Sequence, residues 1–543
     1  MLLIECNNIK KSFGERQIIE IEQLKLYSED RIGVIGRNGA GKTTLLNILR
    51  KKLDPDEGWV RIYGKAKYIS QLDPPVYNNI CPELASEFNI RTTYDENFSG
   101  GEKTRFKLAG AFEYNSEIFF ADEPTSNLDI DGIKLVEDKL SSYSGALVLV
   151  SHDRILLDRL CNKILEIEEG RIKIYKGNYS DYKEQKSKEN MRIKSEYEDY
   201  TKERKRLEEV IKKTKQKVKG INKPPKRMGN SEARLHKMGG QKAKAGFERT
   251  IKNIEKRIEH LEIKESLKEQ PEIRLNIMGS DKLYNKIIIK GNDINRTLGN
   301  KAIFKNADFK IPNGSKTALI GPNGCGKTTL IKMIIGKSEF ISIAKDARIG
   351  YFSQDLSILK EHLTVIENVM ENSIYNENYA RLLLARLLIR GKNIYKKTSV
   401  LSSGEKVKVS FAKMLMEDIN LLILDEPTNY MDINALEIFE ETLSEYDGTL
   451  LFSSHDRKFI KAIADNILLI DDLKIVNFKG TYSEYLYSIN KESDDLKSKQ
   501  VLVLKNRLTE VVGRLSMPSK ADDIVELDKE YHFIVNELRK LGQ

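Results

Sequence analysis

Short apolar runs recur along the chain in two similar series. Residues 32–35 and 317–320 each precede a glycine-rich stretch, and residues 118–123 and 421–426 each end in Asp-Glu. Unbroken apolar runs of this length, bounded by polar turns, are typical of buried strands. With helical stretches between these runs, the pattern predicts an α/β fold.

An internal repeat relates the two series. The eight residues that begin at Gly36 recur at Gly321 with an offset of 285 residues, and from Ser99 and Ser402 onward the offset is 303. Matching segments at a constant spacing indicate a duplicated unit. The second copy is longer between Gln354 and Ser402, which leaves room for additional short helices.

Two segments outside the copies have the periodicity of helices. Pro224 and Pro225 interrupt the first segment, so an antiparallel helical hairpin with its turn near residues 222–230 is predicted. A second hairpin, divided by Pro518, is predicted for the tail. The apolar seam of the first hairpin is predicted to contain Tyr200, Leu207, Ile211, Val218, Phe247, Ile251, Ile254, Ile258 and Leu261.

These patterns predict four segments. A first copy of the α/β unit is expected as a domain at residues 1–182 and the second copy at 283–490. The long helical hairpin links them at 183–282, and the tail forms a helical extension at 491–543.

Positive charge is concentrated in the linker. The chain has a net charge of +10, and residues 211–250 alone contain 13 Lys and Arg against two Glu. Such a concentration indicates contact with a polyanion such as nucleic acid, and a rigid solvated spacer is the alternative interpretation. The linker residues predicted to bind nucleic acid are Lys217, Lys219, Lys223, Lys226, Arg227, Met228, Arg234, Lys237, Lys242 and Lys244.

The composition predicts a soluble, cytoplasmic protein. No stretch approaches the roughly 18 consecutive apolar residues of a membrane-spanning helix, and no secretory signal is visible at the amino terminus. The cysteines at positions 6, 81, 161 and 325 have neither metal-ligand spacing nor a disulfide framework, which suits a reducing compartment.

Both glycine-rich stretches match G-x-x-x-x-G-K-T. Glycines let backbone N–H groups surround phosphates, Lys42 and Lys327 bring positive charge to the β and γ phosphates, and Thr43 and Thr328 are predicted Mg²⁺ ligands. ATP with Mg²⁺ is therefore the predicted ligand. The residues predicted to bind it here are Gly36, Asn38, Gly39, Ala40, Gly41, Lys42, Thr43 and Thr44, and Gly321, Asn323, Gly324, Cys325, Gly326, Lys327, Thr328 and Thr329.

The Asp-Glu pairs supply the predicted catalytic carboxylates. Asp122 and Asp425 are predicted to orient Mg²⁺ through water, and Glu123 and Glu426 to act as general bases on the attacking water. One histidine stands at the same place in each copy. The predicted γ-phosphate contacts are His152 and His455.

Residues 98–102 and 401–405, Phe-Ser-Gly-Gly-Glu and Leu-Ser-Ser-Gly-Glu, resemble the signature sequence of ATP-binding-cassette proteins. The resemblance implies two P-loop domains packed head to tail, with each ATP between the phosphate loop of one and the signature of the other. It also implies that Gln71 and Gln354 sense Mg²⁺ and water. The signature residues implied to complete the sites are Ser99, Gly100, Gly101 and Glu102, and Ser402, Ser403, Gly404 and Glu405.

Two departures from the family pattern predict unequal sites. Ser403 stands where the signature has its first glycine. Leu298 stands where Phe13 of the first copy offers a ring for stacking on adenine, so the second site is expected to hold the base less specifically. Both sites keep the glutamate and the histidine, and both are expected to be active.

Paired cassettes with a helical linker and no membrane segment resemble the ABC-F family. The resemblance implies binding of the 70S ribosome at the tRNA exit site, with the linker reaching past 23S rRNA and peptidyl-tRNA toward the peptidyl-transferase centre. The interval from Gln71 to Ser99 is too short for the arm common in translation-factor members. The long linker resembles the antibiotic-resistance branch, which implies relief of inhibition by pleuromutilins, lincosamides and streptogramin A.

Other functions are weighed against this one. A housekeeping ABC-F translation factor that rescues or regulates stalled ribosomes is one alternative. A DNA-acting coiled-coil ATPase commonly has longer coils or zinc cysteines, and neither is found in the sequence. A transporter subunit is disfavoured because both cassettes lie on one chain, which also predicts intramolecular cassette pairing in a monomer without a transmembrane partner.

Overall fold

A computed structural model describes most of the 543-residue chain. The described residues are 1–70, 74–75, 77–113, 116–221, 230–259, 285–299, 301–353, 358–429, 431–516 and 524–540.

The first copy and the linker contain strands β1–β9 and helices α1–α7. Their bounds are β1 (Leu2–Phe13), β2 (Arg16–Tyr27), β3 (Arg31–Gly36), α1 (Lys42–Leu49), β4 (Glu57–Ile62), β5 (Ala66–Ile69), α2 (Pro82–Glu87), α3 (Gly100–Phe112), β6 (Ile118–Asp122), α4 (Ile130–Ser142), β7 (Ala146–Val150), α5 (Arg154–Leu160), β8 (Lys163–Glu168), β9 (Arg171–Lys176), α6 (Tyr179–Ile221) and α7 (Asn230–Glu259).

The second copy and the tail continue the same order, with 3₁₀ turns at Gly391–Tyr395 and Thr398–Val400. Their bounds are β10 (Ile287–Leu298), β11 (Lys301–Pro312), β12 (Lys316–Ile320), α8 (Lys327–Ile335), β13 (Ile341–Ile343), β14 (Ile349–Phe352), α9 (Val365–Met370), α10 (Glu377–Arg386), α11 (Ser403–Met416), β15 (Leu421–Asp425), α12 (Ile433–Ser444), β16 (Thr449–Ser453), α13 (Arg457–Ile463), β17 (Asn466–Asp471), β18 (Lys474–Lys479), α14 (Tyr482–Ser516) and α15 (Ile524–Lys540).

Each copy is built on a sheet with parallel central strands. The order β5-β6-β7-β3-β8-β9 in the first copy is repeated as β14-β15-β16-β12-β17-β18 in the second. The predicted apolar runs form β3, β6, β12 and β15, whose residues are almost all buried because helices cover both faces. The predicted α/β class and duplication are confirmed, and α9 and α10 occupy the longer interval of the second copy.

The two copies pack against each other through exchanged side chains. Ile433 of α12 is 6% exposed and lies in a core cluster of the first copy. Ile130, its counterpart at the start of α4, packs against the core of the second copy. This reciprocal exchange places the start of each helix beside the nucleotide loop of the other copy.

The linker helices pack antiparallel, as predicted. Leu207 of α6 and Ile251 of α7 are buried between them, and Arg257 pairs with Glu203 at 3.3 Å. At about 1.5 Å per residue, the 43 residues of α6 extend for about 65 Å. Of the predicted turn at residues 222–230, residues 222–229 lie outside the described residues and Asn230 begins α7.

Single helices carry the chain out of each cassette. The predicted segment boundary at residues 182–183 falls inside α6, and that at residues 490–491 falls inside α14. The predicted tail hairpin is formed by α14 and α15, which share a small core of Val511, Leu527 and Ile534. Within the described ranges, no helix is long and apolar enough to span a bilayer.

Candidate active site

Each glycine-rich loop joins a central strand to the helix behind it. Gly41 precedes α1 with φ 104°, and a Cβ there would lie 2.6 Å from Ile18 Cγ2. Gly326 precedes α8 with φ 110°, and a Cβ there would lie 2.3 Å from Ile303 Cγ2. Only glycine fits both the left-handed backbone and the close approach. The free N–H groups at the start of each helix then form a cradle suited to phosphate.

The loop lysines fold back onto their own loops. Lys42 Nζ donates to the carbonyl oxygen of Gly36 at 2.8 Å, and Lys327 Nζ donates to that of Gly321 at 2.9 Å. Burial lowers the pKa of Lys42. Carbonyl oxygens therefore hold each ammonium group inside its own loop. When a nucleotide binds there, phosphate oxygens can take the place of these carbonyl oxygens as hydrogen-bond acceptors.

Two aspartates end strands β6 and β15 beside these loops. Thr43 Oγ1 donates to Asp122 Oδ2 at 2.8 Å, and Ser453 Oγ donates to Asp425 Oδ1 at 2.8 Å. Asp122 is buried, and this burial raises its pKa. A hydroxyl and a carboxylate in direct contact form an oxygen donor set of the kind that Mg²⁺ prefers, so the first site fits this ion.

The two glutamates after these aspartates adopt an uncommon backbone conformation. Glu123 has φ 51° and Glu426 has φ 49°, both in the left-handed region. Backbone hydrogen bonds from Glu123 N to Val150 O (2.9 Å) and from Glu426 N to Ser453 O (3.2 Å) hold them there. Such strain is found where a side chain must be aimed at a particular point, here the cavity beside the loop.

Each glutamate lies next to a histidine from the neighbouring strand. His152 Nε2 is 3.3 Å from Glu123 Oε1, and His455 Nε2 is 3.3 Å from Glu426 Oε1. Among the described residues, four atoms of these side chains are buried without a hydrogen-bond partner. They are Oε1 of both glutamates and Nδ1 of both histidines. Unsatisfied buried polar atoms are costly, so the site is built for a polar ligand and water.

Burial also determines the charge of these groups. It raises the pKa of Glu123 to about 8 and that of Glu426 to about 7. It lowers the pKa of His152 to about 3 and that of His455 to about 4. Near neutral pH, both imidazoles are therefore uncharged, and the carboxyl groups titrate.

One cavity between the copies joins the two phosphate loops to the two signatures. Gly101 of α3 approaches the opposite loop so closely that a Cβ would lie 3.1 Å from Asn323 Nδ2. The predicted site residues that line the cavity are Phe13, Asn38, Gly39, Gly41, Lys42, Thr43, Thr44, Ser99, Gly100, Gly101, Asp122, Glu123, His152, Asn323, Gly324, Gly326, Lys327, Thr328, Thr329, Ser402, Ser403, Gly404, Glu426 and His455, together with Leu298.

The two signature glutamates help to cap the helices in whose first turns they lie. Glu102 accepts hydrogen bonds from Ser99 N and Ser99 Oγ, and Glu405 accepts the same pair from Ser402. These capping boxes satisfy free N–H groups at the start of α3 and α11, and the S-x-x-E spacing was visible in the sequence. The predicted residues that are not among those lining the described cavity are Glu102, Glu405, Gly36, Ala40, Gly321, Cys325 and Asp425.

Contacts across the copies include residues for which the sequence suggested no role. Asp129 Oδ2 accepts a hydrogen bond from Asn323 N at 3.0 Å, and Asn127 O accepts one from Asn323 Nδ2 at 2.8 Å. These bonds join the end of one Asp-Glu loop to the opposite phosphate loop. Gln71 and Gln354, predicted to sense Mg²⁺, lie outside the described residues.

Two arginines also connect the copies reciprocally. Arg154 Nη1 donates to Glu440 at 2.9 Å and lies 3.6 Å from Asp456, while Arg457 lies 2.8 Å from Glu137 and 3.6 Å from the carboxylate of residue 153. Arg154 is 1% exposed. The sequence contains a signal for this role. The offset of 303 residues relates Arg154 to Arg457 and also Glu137 to Glu440.

Comparisons with known proteins agree with this geometry. One family model, described as ABC transporter, matches residues 19–75 and 304–429. A second model with the same description matches residues 165–275. The erythromycin resistance ATP-binding protein MsrA of Staphylococcus epidermidis is 33% identical over 470 residues, or 85% of this chain and 96% of that protein. The ribosome protection protein VmlR of Bacillus subtilis is 28% identical over 550 residues, or 99% and 98%. This chain belongs to the ABC-F family of ATP-binding cassette proteins.

As an ABC-F protein, the chain binds and hydrolyses ATP in its cassettes. The predicted family and ATPase activity are confirmed. A solved structure of the complex of the archaeal ribosomal stalk protein aP1 and the archaeal ribosome recycling factor aABCE1 covers 89% of this chain and 92% of that one, with a TM-score of 0.58 and 17% identity. This likeness supports the paired-cassette fold of the ABC-F chain.

Breaking the reciprocal ion pairs should disable the ABC-F ATPase. We expect Arg154→Ala to lower the steady-state ATPase rate by more than about 100-fold, because losing one partner of a buried pair costs about 3–5 kcal/mol. Arg348→Ala is the matched control, since Arg348 pairs with Asp418 inside one cassette and is 46% exposed. Equal losses in both variants would contradict the importance of the pairing between cassettes.

The ABC-F ATPase should become more active as pH rises. A carboxylate accepts a proton only when ionised, so kcat/KM should increase as the pH passes from about 7 to about 8. The histidines should not change the pH dependence of kcat/KM in this range, because burial keeps their pKa values near 3 and 4. Excess Mg²⁺ keeps the nucleotide ionised. A profile that falls with pH would contradict the assignment.

Proposed function

We propose that this protein binds the 70S ribosome in an ATP-dependent manner and relieves antibiotic inhibition. Its linker extends from the tRNA exit site toward the peptidyl-transferase centre, where it displaces drug by acting on 23S rRNA and peptidyl-tRNA. The observation that carries the proposal is the 43-residue helix α6, which leaves the first cassette and forms a hairpin with a basic end.

Similarity along nearly the whole chain supports this proposal. VmlR is named a ribosome protection protein and MsrA an erythromycin resistance protein. The charge of the linker adds to this support, because neutralising phosphates with Lys and Arg dominates affinity for RNA. Lys217 and Lys219 are exposed near the end of α6, Lys244 is half-buried on α7, and Arg234, Lys237 and Lys242 lie along α7. The remaining predicted contacts, residues 223 and 226–228, lie outside the described residues.

The site geometry supports a specific ATPase mechanism. Lys42 and Lys327 bind the β and γ phosphates, Glu123 and Glu426 orient and deprotonate the attacking water, and the neutral histidines contact the γ-phosphate. Mg²⁺, held beside Thr43 and Asp122 and their counterparts Thr328 and Asp425, would supply charge neutralisation at the phosphates. Each signature completes the site on the opposite loop, so hydrolysis requires closed cassettes.

The root of the linker is attached to the opposite cassette. Tyr179 at the start of α6 donates its hydroxyl to Glu437 at 3.1 Å, and Lys183 one turn later donates to the same carboxylate at 2.5 Å. Lys458 lies 5.4 Å from the Tyr179 ring centroid. Glu437 lies on α12 of the second cassette, so closure of the cassettes on ATP orients α6 and hence the hairpin.

Drug susceptibility tests the proposed function. We expect wild-type protein to raise the tolerance of a sensitive bacterium to pleuromutilins, lincosamides or streptogramin A, and erythromycin belongs in the panel because of MsrA. Glu123→Gln/Glu426→Gln and a linker shortened between Lys219 and Glu232 should abolish tolerance. If tolerance never changes while the double glutamate variant accumulates on ribosomes, the protein is a housekeeping translation factor.

Loss of the linker root should separate ATP hydrolysis from protection. We expect Glu437→Gln to retain most ATPase activity and to lose drug tolerance, because α6 is no longer held when the cassettes close. The counterpart of Glu437 in the first cassette is the exposed Lys134, so Lys134→Gln is the matched control and should leave tolerance unchanged. Full tolerance in the Glu437→Gln variant would contradict this coupling.

A further inference from the structure

The first cassette has an outward face that neither the ATPase site nor the linker uses. This aromatic face lies on β4 and β2, on either side of β1. Val60 and Ile62 point from β4 toward the core, so alternate residues point outward. The side chains that form the aromatic face are Trp59, Arg61, Tyr63, Lys25 and Tyr27.

We propose that the aromatic face binds unpaired RNA bases, which stack on its rings while its cations contact the adjoining phosphates. The inference rests on the proposed ribosomal partner and adds an RNA contact on a part of the molecule separate from the linker.

The aromatic rings are open to solvent. Trp59 is 39% exposed, Tyr63 49% and Tyr27 44%, although tryptophan is usually well covered. From Trp59 to Tyr63 the strand direction spans about 13 Å, which is room for more than one nucleotide. Base stacking on such rings is independent of sequence, because every base presents a π-face.

The cations are placed beside the rings. The Arg61 guanidinium lies 4.6 Å from the Trp59 ring centroid, and no carboxylate pairs with Arg61 in the part of the chain that the structure describes. Glu5, its partner in register, instead pairs with Lys25 at 3.1 Å. Because Glu5 of β1 is in register with both Arg61 and Lys25, the two cations lie on opposite sides of it on the same face.

The second cassette has the same strands but keeps only one exposed ring, Phe340, and the lysine Lys310 at the matching positions. The register of β10 with β13 places Phe340 at the position of Trp59, and Ser342 and Ala344 at those of Arg61 and Tyr63. Pro312 occupies the position of Tyr27. The fold of a cassette therefore does not require three exposed rings and an arginine here. An Arg plane stacked beside aromatic rings suits unpaired bases better than a duplex, whose bases are already stacked.

Fluorescence can test the proposal directly, because Trp59 is the single tryptophan of the chain. We expect single-stranded poly(A) to cause a saturable loss of Trp59 emission in the full-length protein, and duplex RNA of equal length to cause little. Tyr63→Ala should weaken the apparent affinity about 10-fold. Unchanged ATPase activity verifies that the Tyr63→Ala variant is folded.

The matched control moves the probe to the other cassette. In Trp59→Phe/Phe340→Trp, emission should not respond to poly(A). Equal quenching by duplex RNA, or no quenching by poly(A), would overturn the inference, and a response to ribosomes without a response to RNA would indicate a protein partner instead. Ribosome pelleting and drug tolerance test the proposed function separately, so either proposal can fail alone.

Discussion

Arg154 is a buried charge and Arg457 a half-buried one, and the acidic partners of both lie in the opposite cassette. Removing a guanidinium from water costs several kcal/mol unless the charge is paired, so these side chains are tolerated only while the cassettes remain in register. Each arginine stands two residues after the histidine of its own nucleotide site. The pairing between cassettes thus holds the loops on which both active sites depend, and the exchanged Ile130 and Ile433 add apolar contacts to the same interface.

The same interface explains why a symmetric pair of cassettes can direct an asymmetric linker. The ion pairs occur twice, but Glu437 has Lys134 as its counterpart, and only Glu437 receives Tyr179 and Lys183. Burial and Glu437 both raise the pKa of Tyr179, so its hydroxyl remains a donor. The attachment of α6 to the opposite cassette therefore depends on an acidic residue that only one copy has at this position.

The chemistry of the site follows from its exclusion of water. Glu123 and Glu426 are held by strained backbone in a buried cavity, where desolvation favours their neutral forms. The loop lysines donate hydrogen bonds to carbonyl oxygens of their own loops, and no carboxylate forms an ion pair with them among the described residues. Phosphate oxygens can therefore replace the carbonyl oxygens without first breaking an ion pair.

The sequence by itself determined the two cassettes, their phosphate loops, both helical hairpins and the Asp-Glu ends of the central strands. These features depend on glycine conformation, apolar periodicity and short spacings, which are local properties of the chain. Only the tertiary structure decided that Arg154 meets Glu440, that α6 is attached to Glu437, and that Trp59 and Tyr27 share an open face. These contacts join residues that are far apart in the chain. They form only when separately folded segments pack together, and no local pattern in the sequence says which residues will then meet.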